Sequence, residues 1–119
     1  MNKALLIVDH GSKQVAANIM LSAIAQLLRE KRPDLIVEMA HMELADPTIR
    51  EGIEACIKAG ATDIVVHPYM LSPGRHATRD IPRMVSDVAA DFPDIKIITC
   101  EPLGVHELII DVILERAGV

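Results

Sequence analysis

Four short apolar runs, each followed by a stretch with helical spacing, constrain the fold of this chain more than any other feature. Ala4–Val8 is continuously apolar and bounded by Asp9-His10-Gly11-Ser12, which reads as a strand buried on both faces. From Val15 to Glu30 apolar residues recur at helical spacing (Met20, Ile24, Leu27, Leu28). Ser12 is placed to cap this helix and Lys31-Arg32-Pro33 ends it. Leu35–Ala40 is a second strand. Asp46-Pro47 supplies cap and first-turn chemistry for a helix carrying Ile49, Ile53 and Ile57, which stops at Gly60. Asp63–Tyr69 is the third strand. A third helix starts at Asp80-Ile81-Pro82 with a stripe at Ile81, Val85, Val88 and Phe92. Ile95–Thr99 is the fourth strand, and the last helix runs from about Val105 to Arg116, with Gly118 after it. Strands separated by helices predict an α/β fold: one three-layer domain spanning 1–119, with a four-stranded parallel sheet and helices on both faces.

Composition agrees with one well-filled core. Half of the 119 residues are hydrophobic, and the mean hydropathy is +0.29, which excludes a disordered tail. Tyr69 and Phe92 are the only aromatic residues, so the core must be aliphatic. A platform that stacks nucleic-acid bases on aromatic rings is hard to build from that inventory. The net charge of −5 also argues against a polyanion binder, so no nucleic-acid partner is expected. An anionic ligand would need a local basic cluster. Cys56 and Cys100 lack CxxC spacing, and Cys56 in its helical stretch reads as a buried reduced thiol. No targeting segment or membrane span is legible, so a cytoplasmic protein is expected.

In parallel α/β sheets, ligands sit beyond the carboxyl ends of the strands. The residues that leave the four strands are therefore the ones to weigh. His10 precedes a glycine that lets a ligand approach the backbone; it and Ser12 could equally serve only to start a helix. Glu43 follows the second strand and is either a functional carboxylate or a solvated loop charge. His41, two residues upstream, would share its strand face and is the weaker candidate. The segment Leu71-Ser72-Pro73-Gly74-Arg75-His76 makes a connection of about ten residues, long enough to suggest function. It brings His76 to the rim with Arg75 and Arg79, and Arg83 lies just inside the helix. His67 reads as a core histidine, and His106 ranks below His10 and His76. Two imidazoles and a carboxylate suit Fe(II), Co(II), Ni(II) or Zn(II), although no pair has the short spacing of a structural zinc site. GxGxxG, GxxxxGK[ST] and GxSxG are all absent. A phospho-receiver domain shares the strand–helix rhythm, but here the third strand ends in Tyr69-Met70 without a phosphorylatable Asp.

Four motifs stand in order along nearly the whole chain: Val8-Asp9-His10-Gly11-Ser12; Met42-Glu43-Leu44-Ala45-Asp46-Pro47; Pro73-Gly74-Arg75-His76 with Asp80-Ile81-Pro82; and Pro102-Leu103-Gly104 with His106. Together they resemble the small class II tetrapyrrole chelatases, sirohydrochlorin ferrochelatase and cobaltochelatase. Asp9 with His41-Met42-Glu43 is similar to the plastid-type siroheme branch; the commoner bacterial form has Gly where Asp9 stands. The resemblance implies a chelatase fold of two similar lobes, of which this chain supplies one. It implies a homodimer with the tetrapyrrole between subunits, and metal-binding roles for His10, His76 and Glu43. It implies insertion of a divalent ion, Fe2+ in preference and Co2+ as the alternative, into sirohydrochlorin with loss of two pyrrole protons. Histidine is a base whose ordinary pKa lies near neutrality, as that step requires. Ser12, Lys13, Arg75, Arg79 and Arg83 are the expected contacts for the substrate's carboxylates, assisted by backbone donors at the starts of the first and third helices. No cofactor beyond the substrate metal is expected. The plastid enzymes' cysteine-rich tail does not follow Val119, so no iron–sulfur cluster is expected. A tetrapyrrole or metal carrier that binds without inserting is the competing reading, and a receiver-like regulatory domain a weaker third.

Overall fold

A computed structural model describes residues 2–119, with the side chains of residues 76 and 77 outside the description. Strands β1 (Lys3–Asp9), β2 (Ile36–His41), β3 (Asp63–Pro68) and β4 (Lys96–Thr99) form one parallel sheet in the order β2-β1-β3-β4. β1 lies inside the sheet because it is apolar from Ala4 to Val8: Ala4, Leu6, Ile7 and Val8 are all buried. The chain steps from β1 to β2 on one side, then returns across β1 to lay down β3 and β4 on the other. With right-handed crossovers, that reversal puts the connecting helices on opposite faces. Helix α1 (Val15–Lys31) packs Leu21 and Ala25 against Ile7 and Val37. Helices α2 (Ile49–Lys58) and α3 (Ile81–Ala89) pack on the other face, where Ile49, Ile53, Cys56, Ile81 and Val85 meet Leu6, Val8, Ile64 and Val66.

Several helix starts differ from expectation, each for a local reason. Ser12 does not cap α1: its hydroxyl accepts from Gln14 N at 2.9 Å, and Gln14 occupies the cap position. The turn is closed by Asn18, whose side chain bonds both the N–H and the C=O of Ser12. Thr48, not Asp46-Pro47, starts α2. Its hydroxyl accepts from Glu51 N, and the Glu51 carboxylate accepts from Thr48 N, so two otherwise unpaired helix donors are satisfied at once. Helical winding ahead of α3 begins at His76 in a wide π-type turn, His76–Asp80, anchored where Thr78 N and Oγ1 donate to Gly74 O. The irregular connection after β3 is therefore shorter than the spacing predicted. Pro82 stands in the first turn of α3, where its fixed φ suits the helix. Phe92 lies beyond the end of α3 and packs on the core from the following turn.

Gly52 lets α2 lie close against the sheet. A β-carbon there would come 2.7 Å from Leu6 Cδ1 and 3.0 Å from Ala40 Cβ. Gly52→Ala should gain helix propensity but overpack this contact. A net loss of about 1–3 kcal/mol in urea denaturation is expected.

Helix α4 (Glu107–Ala117) begins two residues later than predicted, because His106 caps it: His106 Nδ1 accepts from Leu108 N at 3.1 Å. None of its residues is buried, and Leu108, Ile110, Val112, Ile113 and Leu114 are all exposed. Among the described residues no helix is long and apolar enough to cross a membrane.

Candidate functional site

At the carboxyl end of the sheet the strand order reverses between β1 and β3, where doubly wound folds open a crevice. Backbone bonds lace the segments leaving the four strands to one another there. Met42 N donates to Asp9 O at 2.9 Å, and Glu43 N to His10 O at 3.1 Å. Tyr69 N donates to Val8 O at 2.6 Å, and Leu103 and Gly104 donate to Met70 and Leu71 carbonyls. His10 and Glu43, 33 positions apart by their numbers, are thus neighbours on one rim. Both side chains are exposed. Gly11 closes the turn at φ 86° and lies so close to Glu43 that a β-carbon would overlap the Glu43 carbonyl oxygen. Only glycine fits both the left-handed backbone and that approach.

Two adjoining hollows share His10 and Tyr69. One, of about 260 Å³, is lined by His10, Tyr69, Met70, Leu71, Ser72, Gly74 and Arg75. The other, of about 250 Å³, includes Asp9, Gly11, Ser12 and Asn18. Arg75 lines the first hollow and Ser12 the second. Lys13 and Arg79 are exposed near it without lining either hollow. Arg83 is exposed on α3, and its guanidinium pairs with Asp80 at 3.7 Å. The His76 backbone opens the π turn after the crevice loop, and its side chain lies outside the described residues. Among the described residues, no group of three or more His, Cys, Asp or Glu side chains is gathered to hold a metal ion.

Three rim residues have roles that the sequence did not reveal. Tyr69, the lone tyrosine, stands between the two hollows. Its place at the end of the third apolar run was the available signal. Asp9 and His41 form a pair: His41 Nδ1 lies 2.6 Å from Asp9 Oδ1, and the imidazole is only 1% exposed. His41 was expected to share a strand face with Glu43. Instead β2 ends at His41, whose side chain turns inward while Glu43 continues into the loop.

The remaining titratable candidates belong elsewhere. His67 is half-buried in β3 with Nδ1 3.4 Å from Cys100 Sγ. Burial lowers its pKa against the opposing effect of a backbone bond at Glu101. Burial likewise raises the Cys100 thiol, and it pushes Cys56, on the buried face of α2, up to about 12. Both thiols are free and neither is activated as a nucleophile.

The fold is a three-layer parallel α/β lobe with polar residues at a crevice beyond the carboxyl ends of its strands. Over 99% of this chain and 50% of the other, the fold superimposes with a TM-score of 0.92 on the sirohydrochlorin chelatase SirB from Bacillus subtilis subspecies spizizenii, crystallised in complex with cobalt, at 34% sequence identity. The CbiX family model matches residues 4–118, and the chain belongs to the CbiX family. It is 43% identical over 112 residues to the chloroplastic sirohydrochlorin ferrochelatase of Arabidopsis thaliana, covering 94% of this chain and 50% of that protein. It is 32% identical over a 139-residue alignment to the sirohydrochlorin cobaltochelatase of Methanocaldococcus jannaschii, covering 97% of each. The chain thus spans half the length of the plant relative and nearly all of the archaeal one.

Proposed function

We propose that this protein is a sirohydrochlorin chelatase, its residues 1–119 forming one chelatase-like domain. A divalent ion enters the ring and two pyrrole protons leave, with no change of oxidation state and hence no call for a redox cofactor. The observation that carries this reading is the bond from Glu43 N to His10 O, which ties the backbones of these two rim residues together beside the crevice that His10 lines. Membership of the CbiX family and the names of the relatives support the same substrate. Higher identity to the plant ferrochelatase than to the archaeal cobaltochelatase favours Fe2+ over Co2+.

In this reading His10 and His76 deliver the ion and accept the protons, and Glu43 orients an imidazole or takes a proton itself. General base catalysis of this kind contributes about 10²–10⁴-fold to rate. Arg75 and Ser12 at the crevice, with Lys13, Arg79 and Arg83 around it, hold the ring's carboxylates. Arg83 must share its charge with Asp80 and contributes least.

The working unit in this reading is a homodimer. Each hollow is smaller than the roughly 300–1,000 Å³ that encloses a drug-sized ligand, so one lobe offers a shelf rather than an enclosure. The exposed apolar residues of α4 supply a surface for a second copy to cover. Two free thiols suit a reducing compartment such as the cytoplasm.

The test is anaerobic mixing of the purified protein with sirohydrochlorin and Fe2+ or Co2+, followed by absorption spectra. Conversion well above the protein-free rate is expected, with sedimentation at twice the chain mass. Tight binding of the ring without faster conversion would make the protein a carrier, and failure to bind any tetrapyrrole would remove both readings.

A further inference from the structure

His10 is exposed at the exit of β1 and is followed by a glycine at positive φ, so the turn that carries it bears on how it is presented. Its neighbour Asp9 holds that turn. Asp9 Oδ1 accepts from Gly11 N at 3.0 Å, wrapping a short turn around His10. The same oxygen lies 2.6 Å from His41 Nδ1. A carboxylate only accepts, so Nδ1 carries the proton and donates. The His41 ring is buried, and its backbone N–H donates to Pro47 O at 2.8 Å, so it is fixed to the base of α2. We infer that Asp9 and His41 are a positioning pair, in which a buried imidazole braces the carboxylate that holds the His10 turn in its working geometry.

The physical basis is that one oxygen takes both bonds. Asp9 cannot rotate away without breaking its ties to the turn and to the core together. Bonds to an ionised acceptor are the stronger kind. Misplacing a reacting group by about 1 Å costs on the order of 10²-fold in rate, so a loosened turn should be felt in turnover. His41 lines neither of the two hollows that share His10; it reaches the turn through Asp9 and through its own Cβ, which lies beside Gly11.

The kinetic arm of the test rests on the proposed chelatase reading; the spectroscopic arm does not. Asp9→Ala and His41→Phe should each lower kcat for metal insertion by about 10–10²-fold, with KM for sirohydrochlorin within about threefold of the parent. The double variant should be no worse than the poorer single one, because both remove the same brace. His41→Asn keeps an N–H donor near the place of Nδ1 and should recover much of the rate. By NMR, the Gly11 amide should exchange about tenfold faster in Asp9→Ala and His41→Phe, with the His10 ring signals broadened and the amides of β1 and β3 unchanged. Should Asp9→Ala not fold, the isosteric Asp9→Asn replaces it, with an intermediate effect expected. If the parent protein inserts no metal, the proposed function fails and the Gly11 and His10 signals decide the pair alone. Unchanged Gly11 exchange in both single variants, or kinetic losses that multiply in the double variant, overturns the inference.

Discussion

Replacing His10 with alanine should lower the rate of metal insertion by about 10²–10⁴-fold while leaving the thermal midpoint close to that of the parent. The two halves of this expectation have separate grounds. His10 is exposed at the end of β1 and lines both hollows, so it borders the crevice and adds little to the core. Surface substitutions away from buried networks usually change stability by no more than about 0.5 kcal/mol. The rate loss follows if His10 handles the ion or its displaced protons, since alanine can do neither. His76→Ala should show a loss of similar size, and Glu43→Gln a smaller one, because the amide keeps the shape but not the basicity. Full activity in both histidine variants would show the residues to be wrongly assigned even within the right family.

Gly11→Ala should be the most damaging single-methyl change in the chain, destabilising by about 2–4 kcal/mol in urea denaturation. Two effects add. The backbone is at φ 86°, which L-residues adopt only with strain, and the new β-carbon would overlap the Glu43 carbonyl oxygen. The obstacle is backbone and cannot rotate aside. Relief requires the His10 turn and the Glu43 loop to separate, so insertion should fall even where the variant folds. Gly104→Ala is the control: φ is 59°, but nothing lies within 4 Å of the new carbon, so only the conformational cost remains, about 1 kcal/mol. Equal losses in the two variants would mean that the approach of Gly11 to Glu43 is not a real constraint.

The candidate site was partly legible in the residues and partly hidden. His10, Gly11 and Glu43 could be singled out because they follow apolar runs directly, and a parallel sheet sends all such residues to one rim. Arg75 was reachable the same way, through the Pro-Gly interruption before it. Asp9 and His41 were not paired in advance, because a hydrogen bond between residues 32 positions apart leaves no periodic trace. His41 also depended on where β2 stops: one further strand residue would have changed the face on which Glu43 stands. The capping errors at Ser12 and Asp46-Pro47 have a similar origin. Ser, Asp and Thr all compete for helix starts, and the winner is decided by which backbone is extended when the chain reaches the sheet.

The alternation of apolar runs and amphipathic stretches determined, without coordinates, that this chain makes a parallel sheet with helices on both faces. A buried strand must be apolar throughout, a helix must repeat its apolar residues every three or four positions, and both patterns are local. Which strands neighbour each other, and hence where the switch crevice opens, was decided only in three dimensions. So were the tie between His10 and Glu43, the bracing of Asp9 by a buried imidazole, and the exposure of α4. Each depends on contacts between distant segments, whose cost in chain entropy is offset only when the whole core assembles, and no short window of residues records that balance.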